Sequence, residues 1–274
     1  MLRCAGASQR SQNQFNPQPI ELMKTANWIA HFERNKKNRP QPDWDAPFRV
    51  PEGKRAHLAR SLAEYQLGDG GGECRLVARD AAVFRGSERD MDRLVDLWFE
   101  EEREHSRLLS HAVRRVGGKF VTDTPAMRLF YACRRALGVQ FELLVLLIVE
   151  IVSTTYYRCI RRHVGDEPIA AMCRLIIRDE VGHVAFHQNR LAEAHPEGVG
   201  ALWRLCFLVL GLVCAGFLWV GKNGACLRAL GTTRTEFFQS VAAGLRRFLR
   251  ALARESVPAR CLQPVRSLPT HVLP

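Results

Sequence analysis

The chain has 274 residues, of which 47% are hydrophobic and 25% charged, a composition that excludes a disordered or fibrous protein. Its net charge of +12 is unevenly spread: +6 in residues 1–60, −2 in residues 61–197 and +8 in residues 198–274. Because the middle of the chain is slightly acidic, this distribution argues against a nucleic-acid-binding module built there.

Residues 1–54 are predicted to form an N-terminal tail, one helix and a proline-rich loop. The opening residues, MLRCAGASQRSQNQ, lack the apolar region of a secretory signal, so export is not expected. A helical pattern runs from about Ile20 to Lys36 and leads into RPQPDWDAPFRVPEGK, whose four prolines indicate a connecting loop.

Residues 55–196 are predicted to be helical throughout, since no segment alternates with a period of two. The helical segments are GKRAHLARSLAEYQL, ECRLVARDAAVFR, ERDMDRLVDLWFEEEREHSRLLSHAVRRV, the long apolar run over 125–163, and IAAMCRLIIRDEVGHVAFHQNRLAEAH. Four long helices between about 55 and 195 favour an all-α fold built on a four-helix bundle.

Residues 197–274 add two further helices and a loose tail. LCFLVLGLVCAGFLWVG, residues 205–221, carries no charge and just reaches the minimum length of a membrane span. VAAGLRRFLRALARES is a basic amphipathic helix. Its apolar side is Leu245, Phe248, Leu249 and Leu252, and its basic side is Arg246, Arg247, Arg250 and Arg254. The sequence leaves two interpretations open: both helices pack on the bundle, or residues 198–254 meet an anionic membrane surface.

Two Glu-x-x-His motifs stand on the long helices, Glu102 to His105 and Glu180 to His183. With 3.6 residues per turn, the Glu and the His of each motif share one helix face and can hold a cation together. A single such motif is a weak signal, because Glu is a good helix former and a nearby His is often only half-exposed.

Each motif follows a glutamate on the preceding helix at a matching distance. Glu73 precedes Glu102 by 29 residues, and Glu150 precedes Glu180 by 30. Glu150 is surrounded by apolar residues in LLVLLIVEIV, and a buried carboxylate must either take up a proton or find a cation. Four glutamates and two histidines can hold two divalent ions, and this donor set favours iron or manganese.

Three positions near the predicted metal site allow more than one interpretation. QLGDGGGEC places four glycines directly before Glu73, so the helix either loosens or breaks there, and a break would make Glu64 the ligand instead. His187 is either a neighbour of the ligands or a half-buried histidine. Tyr157 lies on the face of Glu150 and either hydrogen-bonds a ligand or packs in the core.

With these motifs the sequence resembles the ferritin-like di-iron carboxylate superfamily, and within it the bacterial ferritin-like domain proteins, from NWIAHFERN to about residue 195. The resemblance implies a ferritin-like four-helix bundle with two iron ions per chain, or manganese in their place. It implies the ligands Glu73, Glu102, His105, Glu150, Glu180 and His183, with Glu102 and Glu180 at the reacting centre. It also implies that Asp179 and Glu101 orient ligand histidines across the bundle.

Three functions fit this pattern. The first is an oxidoreductase that activates O2 or peroxide at a metal pair and oxidises an organic substrate. A separate electron donor would reduce the metal pair. The second is a ferroxidase or peroxide-scavenging protein, and the third is a metal-stabilised bundle that docks on a membrane or partner without catalysis. Oligomers are compatible with each, and a nucleic-acid partner is not expected.

The cysteines indicate the compartment. There are nine, with no C-x-x-C pair, and several lie in apolar stretches. This pattern favours free thiols in a reducing compartment over a disulfide frame or a zinc ribbon. We therefore expect a cytoplasmic protein, with peripheral contact to the inner face of a membrane as the alternative.

Overall fold

The computed structural model describes residues 24–70 and 89–255, and in these two stretches the chain forms eight helices and no strand. The helices are α1 (Thr25–Lys37), α2 (Glu52–Gly70), α3 (Arg89–Arg115), α4 (Pro125–His163), α5 (Glu167–Ala194), α6 (Ala201–Val220), α7 (Lys222–Leu230) and α8 (Arg234–Glu255). The predicted all-α class is confirmed. The predicted helical segment 73–85, which begins with the predicted ligand Glu73, lies outside the described residues.

Helices α2 to α5 share one apolar core. Leu62 of α2, Leu108 of α3, Val152 of α4 and Ile176 of α5 are all buried in it. The 125–163 segment, which the sequence predicts as one helix or two, is a single helix of 39 residues. Because the four helices bury their apolar faces in one core, the polar side chains between them are held at fixed positions.

The turn between α4 and α5 is fixed by one aspartate. Gly165 adopts a φ of 71°, which favours glycine, and Asp166 then caps α5 by accepting the backbone N–H of Ile169 at 3.3 Å. Asp166 also accepts two hydrogen bonds of 3.0 Å from Arg115, at the end of α3. The same arginine donates to the Trp44 carbonyl oxygen at 2.6 Å, so it also holds the proline-rich loop.

Helix α1 lies on α3 and forms a second, smaller apolar cluster. Its buried side chains Trp28 and Phe32 pack with Phe186 of α5 and with Leu94 and Leu97 of α3. This cluster places the C-terminal end of α1, and the loop that begins there, against the face of α3 that carries the Glu-x-x-His motif.

Helices α6 and α8 pack against each other and on the core. The rings of Phe207 and Phe248 lie 5.2 Å apart, and both residues belong to the same core as α2 to α5. The predicted apolar stripe of α8 faces inward: Leu245, Phe248 and Leu252 are buried, and Leu249 is partly buried against the same core. Its four arginines are exposed.

Within the described residues two helical stretches are long and apolar enough to cross a membrane, Leu143–His163 and Ala201–Val220. They differ in their surroundings, because 67% of the first is buried inside the protein and only 17% of the second. The first stretch is therefore a core helix of the bundle, whereas α6 leaves most of its apolar surface uncovered.

Candidate metal centre

The two Glu-x-x-His motifs meet at the centre of the bundle. His183 Nδ1 lies 3.2 Å from Glu102 Oε1, 3.6 Å from Glu150 Oε2 and 3.8 Å from Glu180 Oε2. His105 Nδ1 lies 3.8 Å from Glu102 Oε2 and 3.8 Å from Glu180 Oε1. Five of the six predicted ligands thus converge from α3, α4 and α5.

Each imidazole is held by an acid from the opposite helix. His105 of α3 places Nε2 3.2 Å from Asp179 of α5, and His183 of α5 places Nε2 3.1 Å from Glu101 of α3. In both cases the acid directly precedes the glutamate of the other motif in the sequence. With Nε2–H donating to a carboxylate, the Nδ1 atom of each ring is fixed toward the carboxylate cluster.

One arginine joins the two orienting acids. The Arg39 Nη2 atom lies 3.2 Å from Glu101 Oε1 and 2.8 Å from Asp179 Oδ2, and the Arg39 side chain is only 7% exposed. Asp179 also accepts from Arg178 at 2.9 Å. Arg39 follows α1 in the proline-rich loop, which gives no periodic pattern, so sequence reasoning missed it.

The donor atoms suit a divalent cation. Nδ1 of His105, Nδ1 of His183 and Oε2 of Glu180 are buried and make no hydrogen bond with any residue that the structure describes. Glu102, Glu150 and His183 can each offer a ligand atom within 4.8 Å of the others. A buried imidazole nitrogen left without a hydrogen bond costs free energy, and a metal ion would offset that cost.

The electrostatics of the cluster favour positive charge at its centre. Burial by itself lowers the pKa of the His105 imidazole, but the hydrogen bond to Asp179 and the charges of Glu102 and Glu180 outweigh it and raise the pKa to about 9. The pKa of His183 is likewise raised, because Glu101 and Glu102 outweigh its burial. Burial and the charge of Glu102 raise the pKa of Glu180. Burial raises the pKa of Glu102, but the charges of His183 and His105 outweigh it and lower that pKa. The carboxylates thus hold protons on the two imidazoles, and would hold cations in their place for the same electrostatic reason.

A fourth inner carboxylate comes from α2. Asp69 accepts the hydroxyl of Tyr157 at 3.3 Å, and burial followed by the charge of Glu102 raises the pKa of Asp69 well above its usual value. Sequence reasoning missed Asp69 although it lies inside QLGDGGGEC. Only the structure shows that Asp69 lies one helical turn after a packed ring, since Tyr65 stacks on Tyr156 with ring centroids 4.1 Å apart.

An aromatic residue of α3 covers the cluster from the side of α1. The Trp98 indole N–H donates to Glu102 Oε1 at 3.2 Å, and its ring stacks on His183 at 4.6 Å. Trp98 precedes Glu102 by one turn, so its place on the same helix face could have been read from the spacing. Phe32 stacks on Trp98 with ring centroids 6.5 Å apart, lies 5.9 Å from the ring of His183 and extends this apolar cover.

The remaining predicted residues lie around the centre. Glu64 pairs with Lys222 at 2.8 Å and accepts from Asn223 at 3.4 Å. His187 is buried with its ring 5.1 Å from Trp98, and burial followed by the charge of Arg190 lowers its pKa to about 3. Tyr157 is buried beside Asp69.

No family model, no curated protein and no solved structure matches this chain. What the centre can do is therefore inferred from its own side chains: a buried group of carboxylates and two oriented imidazoles that can hold divalent metal ions.

Proposed function

We propose that this protein binds two divalent iron or manganese ions between helices α2 to α5, and that these helices form a ferritin-like four-helix bundle. The observation that carries the proposal is the crossed pairing of His105 with Asp179 and of His183 with Glu101. Such pairing directs both Nδ1 atoms to the same cluster, and orienting carboxylates of this kind are typical partners of metal-bound histidines.

The charge of the cluster supports two ions rather than one. Glu102, Glu150, Glu180 and Asp69 together carry four negative charges when ionised, which two divalent cations would balance. The outer acids Glu101 and Asp179 are already neutralised, since Arg39 contacts both and Arg178 contacts Asp179. Hard carboxylate oxygens combined with imidazole nitrogen favour iron and manganese over softer metals.

We infer that the bound pair serves an oxidoreductase acting on an organic substrate. When bound, an iron pair supplies redox chemistry with O2 or peroxide. The chain's own residues hold and orient the ligands, and Trp98 with Phe32 keeps water from the α1 side of the cluster. The raised pKa of Asp69 favours its protonated form before metal binds, and binding of the ions would release that proton and ionise the carboxylate.

Metal analysis tests the site. We expect about two iron or manganese ions per chain in protein purified from its native host, and a substantially lower content in Glu150→Ala and Glu180→Ala, because each removes charge that neutralises the ions. Glu100→Ala is the matched control, since Glu100 also lies on α3 but pairs with the exposed Lys36 at 2.7 Å. Unchanged metal content in both ligand variants would refute the site.

Turnover then separates the functions. The iron-loaded, reduced protein is expected to consume O2 once and to wait for an added reductant and organic substrate before a second turnover. Sustained oxidation of free Fe(II) without an organic substrate would instead show a ferroxidase. Purification with zinc, or without any metal, would overturn both redox functions and leave a structural role.

A further inference from the structure

The outer face of helix α6 is apolar along its whole length. Leu202 and Leu205 near its start are 74% and 58% exposed, and Phe217 and Val220 near its end are 70% and 78% exposed. At 1.5 Å per residue the helix is about 30 Å long. Exposed apolar surface that continues over such a length marks an interaction site.

The opposite face of α6 is fixed to the protein. Phe207, Gly211 and Ala215 are buried, and a Cβ atom on Gly211 would lie only 2.6 Å from a methyl carbon of Leu245 in α8. The close contact and the shared core hold α6 against the bundle. Whatever covers the outer face therefore approaches from the side and does not surround the helix.

Exposed arginines lie on α8, the helix that packs on α6. Arg246 and Arg247 directly follow Leu245, the residue that contacts Gly211, and Arg250 and Arg254 continue the exposed side of α8. None of these four arginines is in an ion pair with a residue that the structure describes. Across residues 198–255 the sequence has eight basic and two acidic residues.

Charge decides between the two candidate partners. A second copy of the chain would bring the same strongly basic segment against itself, and like charges would oppose that contact. A bilayer with anionic lipids offers apolar chains to α6 and negative headgroups to the arginines of α8. We propose that α6 and α8 together dock the protein peripherally on an anionic membrane surface, independently of the metal centre.

Vesicle sedimentation of the full chain tests this docking. We expect the protein to sediment at low salt with phosphatidylcholine vesicles that contain phosphatidylglycerol, and much less with pure phosphatidylcholine vesicles. High salt should release it, because screening weakens attraction between exposed charges. Equal binding to both vesicles, or binding that high salt does not release, would overturn peripheral electrostatic docking.

Two variants separate the apolar and the basic contributions. Leu205→Gln with Phe217→Gln removes exposed apolar side chains and should abolish sedimentation, whereas Phe120→Gln, 44% exposed on the loop before α4, should not change it. Arg246→Gln with Arg247→Gln should lower partitioning about fivefold per arginine, which corresponds to about 1 kcal/mol each.

Matched controls keep the outcome interpretable. Arg93→Gln with Arg128→Gln removes two exposed arginines of α3 and α4 and should leave partitioning within about twofold of the parent protein. Circular dichroism of every variant checks that the helices remain. A chain that is dimeric in solution, becomes monomeric in Leu205→Gln with Phe217→Gln, and never sediments with vesicles would show that a second copy covers α6 and would overturn the proposal.

Discussion

Arg39 is the residue whose contacts reach both halves of the centre. Its guanidinium holds Glu101 and Asp179, and these two acids in turn fix the rings of His183 and His105. Both contacts come from the single atom Nη2, so a lysine could reproduce them only if its shorter side chain carried Nζ to the same position. The orientation of two imidazoles thus depends on one side chain from a loop.

Substituting Arg39 should weaken metal binding without removing a ligand. We expect Arg39→Met to lower the affinity for Fe(II) or Mn(II) about 10- to 100-fold, which is the usual cost of losing a partner of a metal ligand. The affinity of Arg39→Lys should lie between those of the parent protein and Arg39→Met. Competition with a chelator of known affinity measures the change. Arg93→Met, which removes an exposed pair with Glu33, is the control, and equal affinity in Arg39→Met and the parent protein would contradict this role.

Metal binding should also depend on pH. Without metal, the pKa of His105 is raised to about 9, so the ring is protonated at neutral pH and a metal at Nδ1 must displace a proton. The raised pKa favours the protonated, metal-free form below 9, and affinity must therefore rise with pH until that value. We expect about a tenfold gain per pH unit for each proton released, measured by chelator competition at several pH values below 9. A metal affinity that does not change with pH would contradict the displacement of a proton from His105.

At the scale of the element, Asp166 combines a helix cap with a buried ion pair. It caps the start of α5 by accepting the backbone N–H of Ile169, and it neutralises Arg115, whose side chain is only 9% exposed. Losing the acid would leave that arginine buried without its counter-charge. Such a loss costs much more than the loss of a cap alone.

We expect Asp166→Ala to lower the free energy of unfolding by about 3–5 kcal/mol, mainly through the unpaired Arg115. Asp166→Asn should cost less, because its side-chain oxygen can still cap α5. Urea denaturation of the metal-free protein measures both. Asp123→Ala, which breaks the exposed pair with Arg128, serves as the control and should cost at most about 1 kcal/mol. A similar cost for Asp166→Ala and Asp123→Ala would contradict this role.

The whole molecule shows which features a sequence can predict. Helical periodicity predicted the all-α class, and the glycines near residues 117 and 165 lie where the structure ends α3 and turns into α5. Spacing within one helix also brought each Glu together with its His, because a helix fixes the distance between residues three apart. These features are local, so the sequence carries them directly.

Contacts between elements were harder to predict. Asp69 reaches the centre from the last turn of α2, and Arg39 reaches it from a loop whose irregular backbone has no period. The sequence offered Glu64 of α2 as an alternative ligand. In the structure Glu64 pairs with Lys222, and that pair depends on how α7 packs against α2. Only the packing of whole helices decides which of several acids on α2 faces inward.

The crossed pairing of the two motifs has a consequence for reading mutations. Each motif supplies a glutamate and a histidine to the shared cluster, and its orienting acid pairs with the histidine of the other helix. Substitution of Asp179 on α5 would therefore first release the ring of His105 on α3. Substitution of Glu101 on α3 would likewise release the ring of His183 on α5. The histidine of each motif is therefore oriented only when the acid of the other motif is present, and neither motif could bind metal in this geometry if it were moved alone to another helix pair.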